Sequence, residues 1–123
     1  MESITLSLAQ MGLRETGFRN ITQPDGNGVG IFQIDIGKNP NVTAAQASDP
    51  TFAADWAAAF LAGNMAILAK KYPNLDPSQL LQATAASYNL GTGGISGNPN
   101  TIDMGSTGNN YGSNVLQLID CFQ

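Results

Sequence analysis

The sequence predicts a mainly α-helical domain carrying one small hairpin or loop, on three observations. Apolar residues recur at helical spacing in four stretches; two of these open on an Asp-Pro pair; and the short run Ile31 to Asp35 sits between turn-rich segments. The 123 residues fit a single domain spanning 1–123, since domains commonly hold about 50 to 250 residues around one core. The expected arrangement is about four to six helices around a central buried helix. At 42% hydrophobic and 11% charged residues, the chain has the balance of a folded domain, not a disordered one.

From Ser3 to about Thr16, Ile4, Leu6, Leu8, Met11 and Leu13 give a helix a broad apolar face, and Gly17 suits its stop. Glu15 then lies in the last turn, where the negative end of the helix dipole disfavours an ionised carboxylate. Gln23 to Gly30 holds Pro24, Asp25 and three glycines, a turn-rich stretch whose backbone can approach a ligand closely. Ile31 to Asp35 is too short to type as strand or helical turn. Asn39 to Asp49 reads as loop with at most one helical turn.

Asp49-Pro50 is a helix start, with Asp as N-cap and Pro in the first turn. Phe52, Trp56, Phe60 and Ile67 predict a heavily buried face on a helix running to about Lys71. Asp76-Pro77 repeats the signal, and Gln79 completes a capping box. The helix it opens is alanine-rich, so it can cross the centre of the domain, and Asn89 is one candidate for its C-cap. Gly91 to Gly108 contains six glycines and Pro99 and reads as a long surface loop. Tyr111, Val115, Leu118, Ile119 and Phe122 close the chain with an amphipathic helix.

Composition excludes several classes of chemistry. Five basic against nine acidic residues give a net charge of −4, which argues against a nucleic-acid partner. The chain has no His, and its one Cys, Cys121, lacks a base to activate it and is expected to be inert packing. There is no CxxC, HExxH, GxSxG or P-loop pattern, so no metal, no cofactor and no nucleophilic triad is expected. No run of 18 uninterrupted apolar residues occurs and the Met-Glu-Ser start is unlike a signal peptide, so membrane insertion is not expected and no export route is visible.

Carboxylates remain. Glycoside hydrolysis needs only these: an acid to protonate the leaving oxygen and, for inversion, a base to activate water. Glu15, Asp25 and Asp35 flank the glycine-rich turn and can supply both roles, although most carboxylates merely solvate a surface.

Four segments in order resemble goose-type lysozymes. Arg14-Glu15-Thr16 is similar to the Glu-Ser after the family's catalytic helix. Gly28-Val29-Gly30-Ile31-Phe32-Gln33-Ile34-Asp35 resembles the Gly-x-Gly-Leu-Met-Gln-x-Asp hairpin. Ala86-Ser87-Tyr88-Asn89-Leu90-Gly91 resembles Ala-Tyr-Asn-Ala-Gly. Asp103 to Thr107 with Asn110-Tyr111 and Asn114-Val115 is similar to the closing segment.

The resemblance implies an α+β lysozyme-like fold and a muramidase that cleaves the β-1,4 bond between N-acetylmuramic acid and N-acetylglucosamine. Glu15 would be the general acid. Asp35 would act through water as general base, giving hydrolysis with inversion, or would be only a turn or cap carboxylate. Asp25 would be its partner, though aligning it requires a one-residue deletion, or a Pro-Asp-Gly turn former. Gln33, Tyr88, Asn89 and Tyr111 would line the sugar cleft, with core packing the alternative for Tyr88 and Tyr111. Trp56 and Phe60 are expected in the core and not as sugar platforms. The implied partner is bacterial peptidoglycan, met by a monomer outside the cell or at the wall. Two alternatives stay open: a lytic transglycosylase leaving 1,6-anhydromuramoyl ends, and a non-catalytic glycan-binding module. The family's vertebrate members carry an additional N-terminal region and cysteines, whereas this sequence opens on the expected catalytic helix and has one Cys.

Overall fold

Two Asp-Pro pairs begin the two long helices of the structure, a computed structural model that describes Gly12, Glu15 and residues 28–120, without the side chains of Thr107 and 118–120. Gly12 and Glu15 are helical. The rest of the expected first helix, the turn with Asp25, and Cys121 lie outside the described residues.

The hairpin comes first. Strands β1 (Gly28–Val29) and β2 (Ile34–Asp35) pair antiparallel, Gly28 with Asp35 and Val29 with Ile34. The Gln33 amide closes the turn on the Gly30 carbonyl at 3.1 Å. Gly30 takes φ 80°, and Gln33 takes φ 52°, a conformation in which non-glycine residues are uncommon. A one-turn helix, α1 (Ala44–Ser48), follows behind a capping box of Thr43 and Gln46.

Helix α2 (Pro50–Lys71) starts where Asp49 Oδ1 accepts the Thr51 amide at 3.0 Å, and Lys70 and Lys71 complement its C-terminal dipole. Helix α3 (Pro77–Leu90) starts on the reciprocal Asp76–Gln79 box, at 2.7 and 3.0 Å. It ends at Gly91, not at Asn89, because the capping residue needs φ 74°. Helix α4 (Tyr111–Asp120) completes the described chain.

The described residues are therefore mainly helical, with one two-stranded sheet among them. Helix α3 is their centre and packs against both α2 and α4. Five consecutive residues, Ala83, Thr84, Ala85, Ala86 and Ser87, are buried, so the helix is enclosed on every side over more than a turn. The small side chains let the neighbours approach closely. Where polar groups are trapped they are paired: Asn64 of α2 donates to Ser87 Oγ at 2.9 Å, and Ser87 donates to the Thr84 carbonyl.

Two expectations are corrected. The buried face of α2 is Ala53, Ala57, Leu61, Asn64 and Leu68, not the line of large residues. Phe60 and Ile67 are 36% and 51% exposed, while Phe52 and Trp56 are half-buried against the hairpin cluster. Ala53 and Ala57 pack in the hairpin cluster, and Leu61 and Leu68 pack with the alanines of α3. The stretch after α3 is also more than a surface loop. Two 3-10 turns, Thr92–Gly94 and Thr107–Asn109, interrupt it, and Ile95 and Ile102 enter the core beside Leu68, Ala83 and Ala86. Tyr72 fastens it by donating to the Ile95 carbonyl at 2.8 Å.

Asp103 ends this segment as a buried carboxylate with three donors. Oδ1 accepts the Gly112 amide at 2.6 Å, and Oδ2 accepts the Ser113 amide at 3.0 Å and the Gln82 side chain at 2.7 Å. It thus caps α4 and ties it to α3. A Cβ at Gly112 would collide with the Gln82 carbonyl and with Asp103 itself, so only glycine lets the helix end sit this close.

Asp103→Ala is therefore expected to destabilise by about 2–3 kcal/mol, through loss of the cap and three stranded donors. Thermal or urea unfolding measures this, with Asp76→Ala as an exposed-cap control expected to lose about 1 kcal/mol.

Candidate active site

The hairpin turn, the start and middle of α2 and the last turn of α3 enclose a cleft of about 340 Å³. Glu15, Gln33, Asp35, Tyr88 and Asn89 all line it, together with Lys38, Asn39, Trp56, Phe60 and Leu90. The five expected cleft residues thus come from three separate parts of the chain. Asp25 lies outside the described residues.

Glu15 is half-buried, and Oε2 accepts the Tyr111 hydroxyl at 2.6 Å, across 96 residues of sequence. Tyr111 is 1% exposed and packs with Leu61, Ala85 and Val115. Of the two alternatives for this residue, its burial matches core packing. A side chain so covered offers no surface to a ligand, and its hydroxyl is committed to the carboxylate. Its amide is held in turn by Ser106 Oγ at 3.1 Å, so the ring is anchored at both ends.

Tyr88 reaches the hairpin. Its hydroxyl donates to the Phe32 carbonyl at 2.7 Å, joining the end of α3 to the turn that carries Gln33. Burial, with the negative charge of Glu15 adding to it, pushes the Tyr88 phenol well above the ordinary tyrosine value of 10.0. It stays a neutral donor at any physiological pH. Gln33 folds back on the same turn, its Nε2 donating to the Gly30 carbonyl at 2.8 Å, which supports the positive φ. Asn89, one residue on from Tyr88, is exposed at the rim of the cleft.

Asp35 plays two parts. Oδ1 accepts the Lys38 amide at 3.0 Å, and its carbonyl accepts both the backbone and the side chain of Asn39, so it shapes the turn after β2. It also faces the cleft. The turn-cap alternative is realised, at a position that also lines the cleft.

Trp56 and Phe60, expected in the core, stack on each other in the cleft wall with centroids 5.0 Å apart and planes 14° apart. Phe60 meets Tyr88 edge-on at 5.9 Å. Sequence reasoning missed this wall because it equated large with buried. The signal was present: the positions directly after Phe52, Trp56 and Phe60 are Ala53, Ala57 and Leu61, a competing face of smaller residues at the same spacing. Lys38 and Asn39 were missed because nothing in a Gly-Lys-Asn-Pro turn distinguishes a cleft rim from any loop.

The arrangement offers two carboxylates, one of them held by a tyrosine, and an aromatic wall in one partly apolar hollow. Among the described residues, no three of His, Cys, Asp and Glu meet to hold a metal ion. A second hollow of about 440 Å³ beside Gln82, Asp103 and Met104 contains one carboxylate, already spent on the α4 cap.

Because the Tyr88 proton is held more tightly in the folded chain, the stabilisation it gives is complete below pH 10.0 and is lost as pH rises above that value. Tyr88→Phe is expected to flatten the fall of stability in alkali, measured by urea unfolding at a series of pH values. An unchanged alkaline slope would contradict the assignment.

No family model matches the chain, and no curated protein matches it either.

Proposed function

We propose that the chain is a lysozyme-like muramidase that hydrolyses the β-1,4 bond between N-acetylmuramic acid and N-acetylglucosamine in bacterial peptidoglycan. One observation carries the reading: Glu15 lines a cleft with its carboxylate gripped by a buried tyrosine, and Asp35 and a stacked aromatic wall line the same cleft. The likeness to goose-type lysozymes in the order of the motifs supports it.

In this mechanism Glu15 donates its proton to the glycosidic oxygen as the bond breaks. Tyr111 is a positioning residue: with its hydroxyl on Oε2, it fixes the direction in which the carboxyl group points. Asp35 draws a proton from the attacking water, giving inversion at the anomeric carbon. Pyranose rings pack their C–H faces on Trp56, Phe60 and Tyr88, and the Asn89 amide bonds acetamido or hydroxyl groups. No metal or cofactor takes part.

A lytic transglycosylase is the second reading, and the Lys38 contact favours it, since one oxygen of Asp35 is already committed to a turn. There Glu15 acts first as acid and then as base while the substrate's own 6-hydroxyl closes the ring.

Mass spectrometry of digested peptidoglycan separates the readings: hydrolysis leaves reducing ends, and transglycosylation leaves 1,6-anhydromuramoyl ends. Glu15→Gln is expected to keep the fold and lower the rate by about 10²–10⁴-fold. Full activity in that variant would sink both enzymes. Release of no fragments by the parent chain, despite binding to the glycan, would leave a binding module. Tyr111→Phe is expected to lose about ten- to a hundredfold in kcat, the worth of one hydrogen bond to a charged group. Asp35→Asn should abolish hydrolysis while leaving most of any transglycosylation.

A further inference from the structure

Helix α2 is apolar over most of its surface, with Asp55, Lys70 and Lys71 its charged residues, yet among the described residues the fold buries one side of it. Its most apolar window has a mean hydropathy of 1.4, and 28% of that window is buried. A helix apolar all round is normally covered all round. The covered side is Ala53, Ala57, Leu61, Asn64 and Leu68. Away from it, Ala59, Gly63 and Ala66 are exposed, flanked by the large side chains of Phe60 and Ile67.

Gly63 is a second anomaly on the same face. Glycine is the least favourable residue after proline inside a helix. Among the described residues a Cβ there would meet nothing within 4 Å, so their packing gives no reason for it. A glycine that the fold does not need, at the centre of an exposed apolar helix face, suits the close approach of another helix.

We propose that this face docks against the same face of a second copy of the chain, as an antiparallel helix pair crossing at Gly63. A two-fold axis beside Gly63 keeps each flank against its own kind. Phe60 meets the partner's Ile67 on the large flank, Ala59 meets the partner's Ala66 on the small flank, and the two glycines meet between them. The charges select the same orientation. Asp55 lies about two turns before Gly63 and Lys70 about two turns after it. The antiparallel register therefore sets Asp55 beside the partner's Lys70, whereas a parallel pair would set like charges together. A lipid surface would gain nothing from a glycine at the centre. Phe60 also belongs to the cleft wall, so the partner helix extends that wall outward. The inference is independent of the glycan reading and replaces the expected monomer with a dimer.

Sedimentation velocity of the whole chain from micromolar to millimolar concentration is expected to show a concentration-dependent dimer. Gly63→Leu should weaken self-association by about tenfold or more while the monomer melts no lower than the parent, because the added side chain meets open space. Asp55→Lys and Lys70→Asp should each weaken the dimer, and the double variant should restore it. A monomer at every concentration, a dimer indifferent to Gly63→Leu, or a double variant as weak as the single ones would overturn the proposal. So would binding of the chain to anionic phospholipid vesicles without self-association, which would assign the face to a membrane surface.

Discussion

Buried among three donors, the Asp103 carboxylate fixes where α4 begins, and the placing of the candidate acid follows from it. Taking a carboxylate out of water is unfavourable unless its oxygens are satisfied, and here two helix-end amides and the Gln82 side chain satisfy both. Tyr111 is the first residue of the helix so capped, and Ser106, bonded to the Asp103 carbonyl, holds its amide. The ring is thereby directed inward to Glu15. A contact spanning 96 residues is set by a cap eight residues before the tyrosine.

The same logic holds at the other end of the cleft. Helix α3 carries Tyr88 in its last turn, and the bond from Tyr88 to the Phe32 carbonyl makes the hairpin answer to the helix. Both tyrosine hydroxyls are donors, one to a backbone carbonyl and one to a carboxylate. The cleft is thus suspended between two helices, α3 and α4, that are themselves joined through Gln82 and Asp103.

What could be read from the sequence was local. The Asp49-Pro50 start and the Asp76–Gln79 box are written in residues a few positions apart, and both helices begin where those residues say. The identity of the buried face of α2 was not legible, because Ala53, Ala57 and Asn64 on it carry little hydropathy beside Phe52, Trp56 and Phe60. The interior course of the glycine-rich segment was missed for a related reason. Ile95 and Ile102 are single apolar residues without periodicity, and their burial depends on the gap that Leu68, Ala83 and Ala86 leave. Motif order brought Glu15, Gln33, Asp35, Tyr88 and Asn89 into view as one group, and they line one cleft. It left Tyr111 between the cleft and the core, since the direction of a ring on a helix is fixed only by what surrounds it.

The alanine-lined crossing of α2 and α3 also bears on how this molecule can change over generations. Ala83, Ala85 and Ala86 of α3 pack with Leu61 and Leu68 of α2, and an alanine has no side chain that could shrink to make room for another. An added methyl group there must be met by moving a backbone, and Tyr88 and Asn89 ride on the helix that would move. Variation in the centre is thereby coupled to the shape of the cleft, while the rim, with exposed residues such as Lys38 and Asn89, is free to vary. The route by which such a fold acquires a different ligand preference runs along its edge, over a centre that can hardly change.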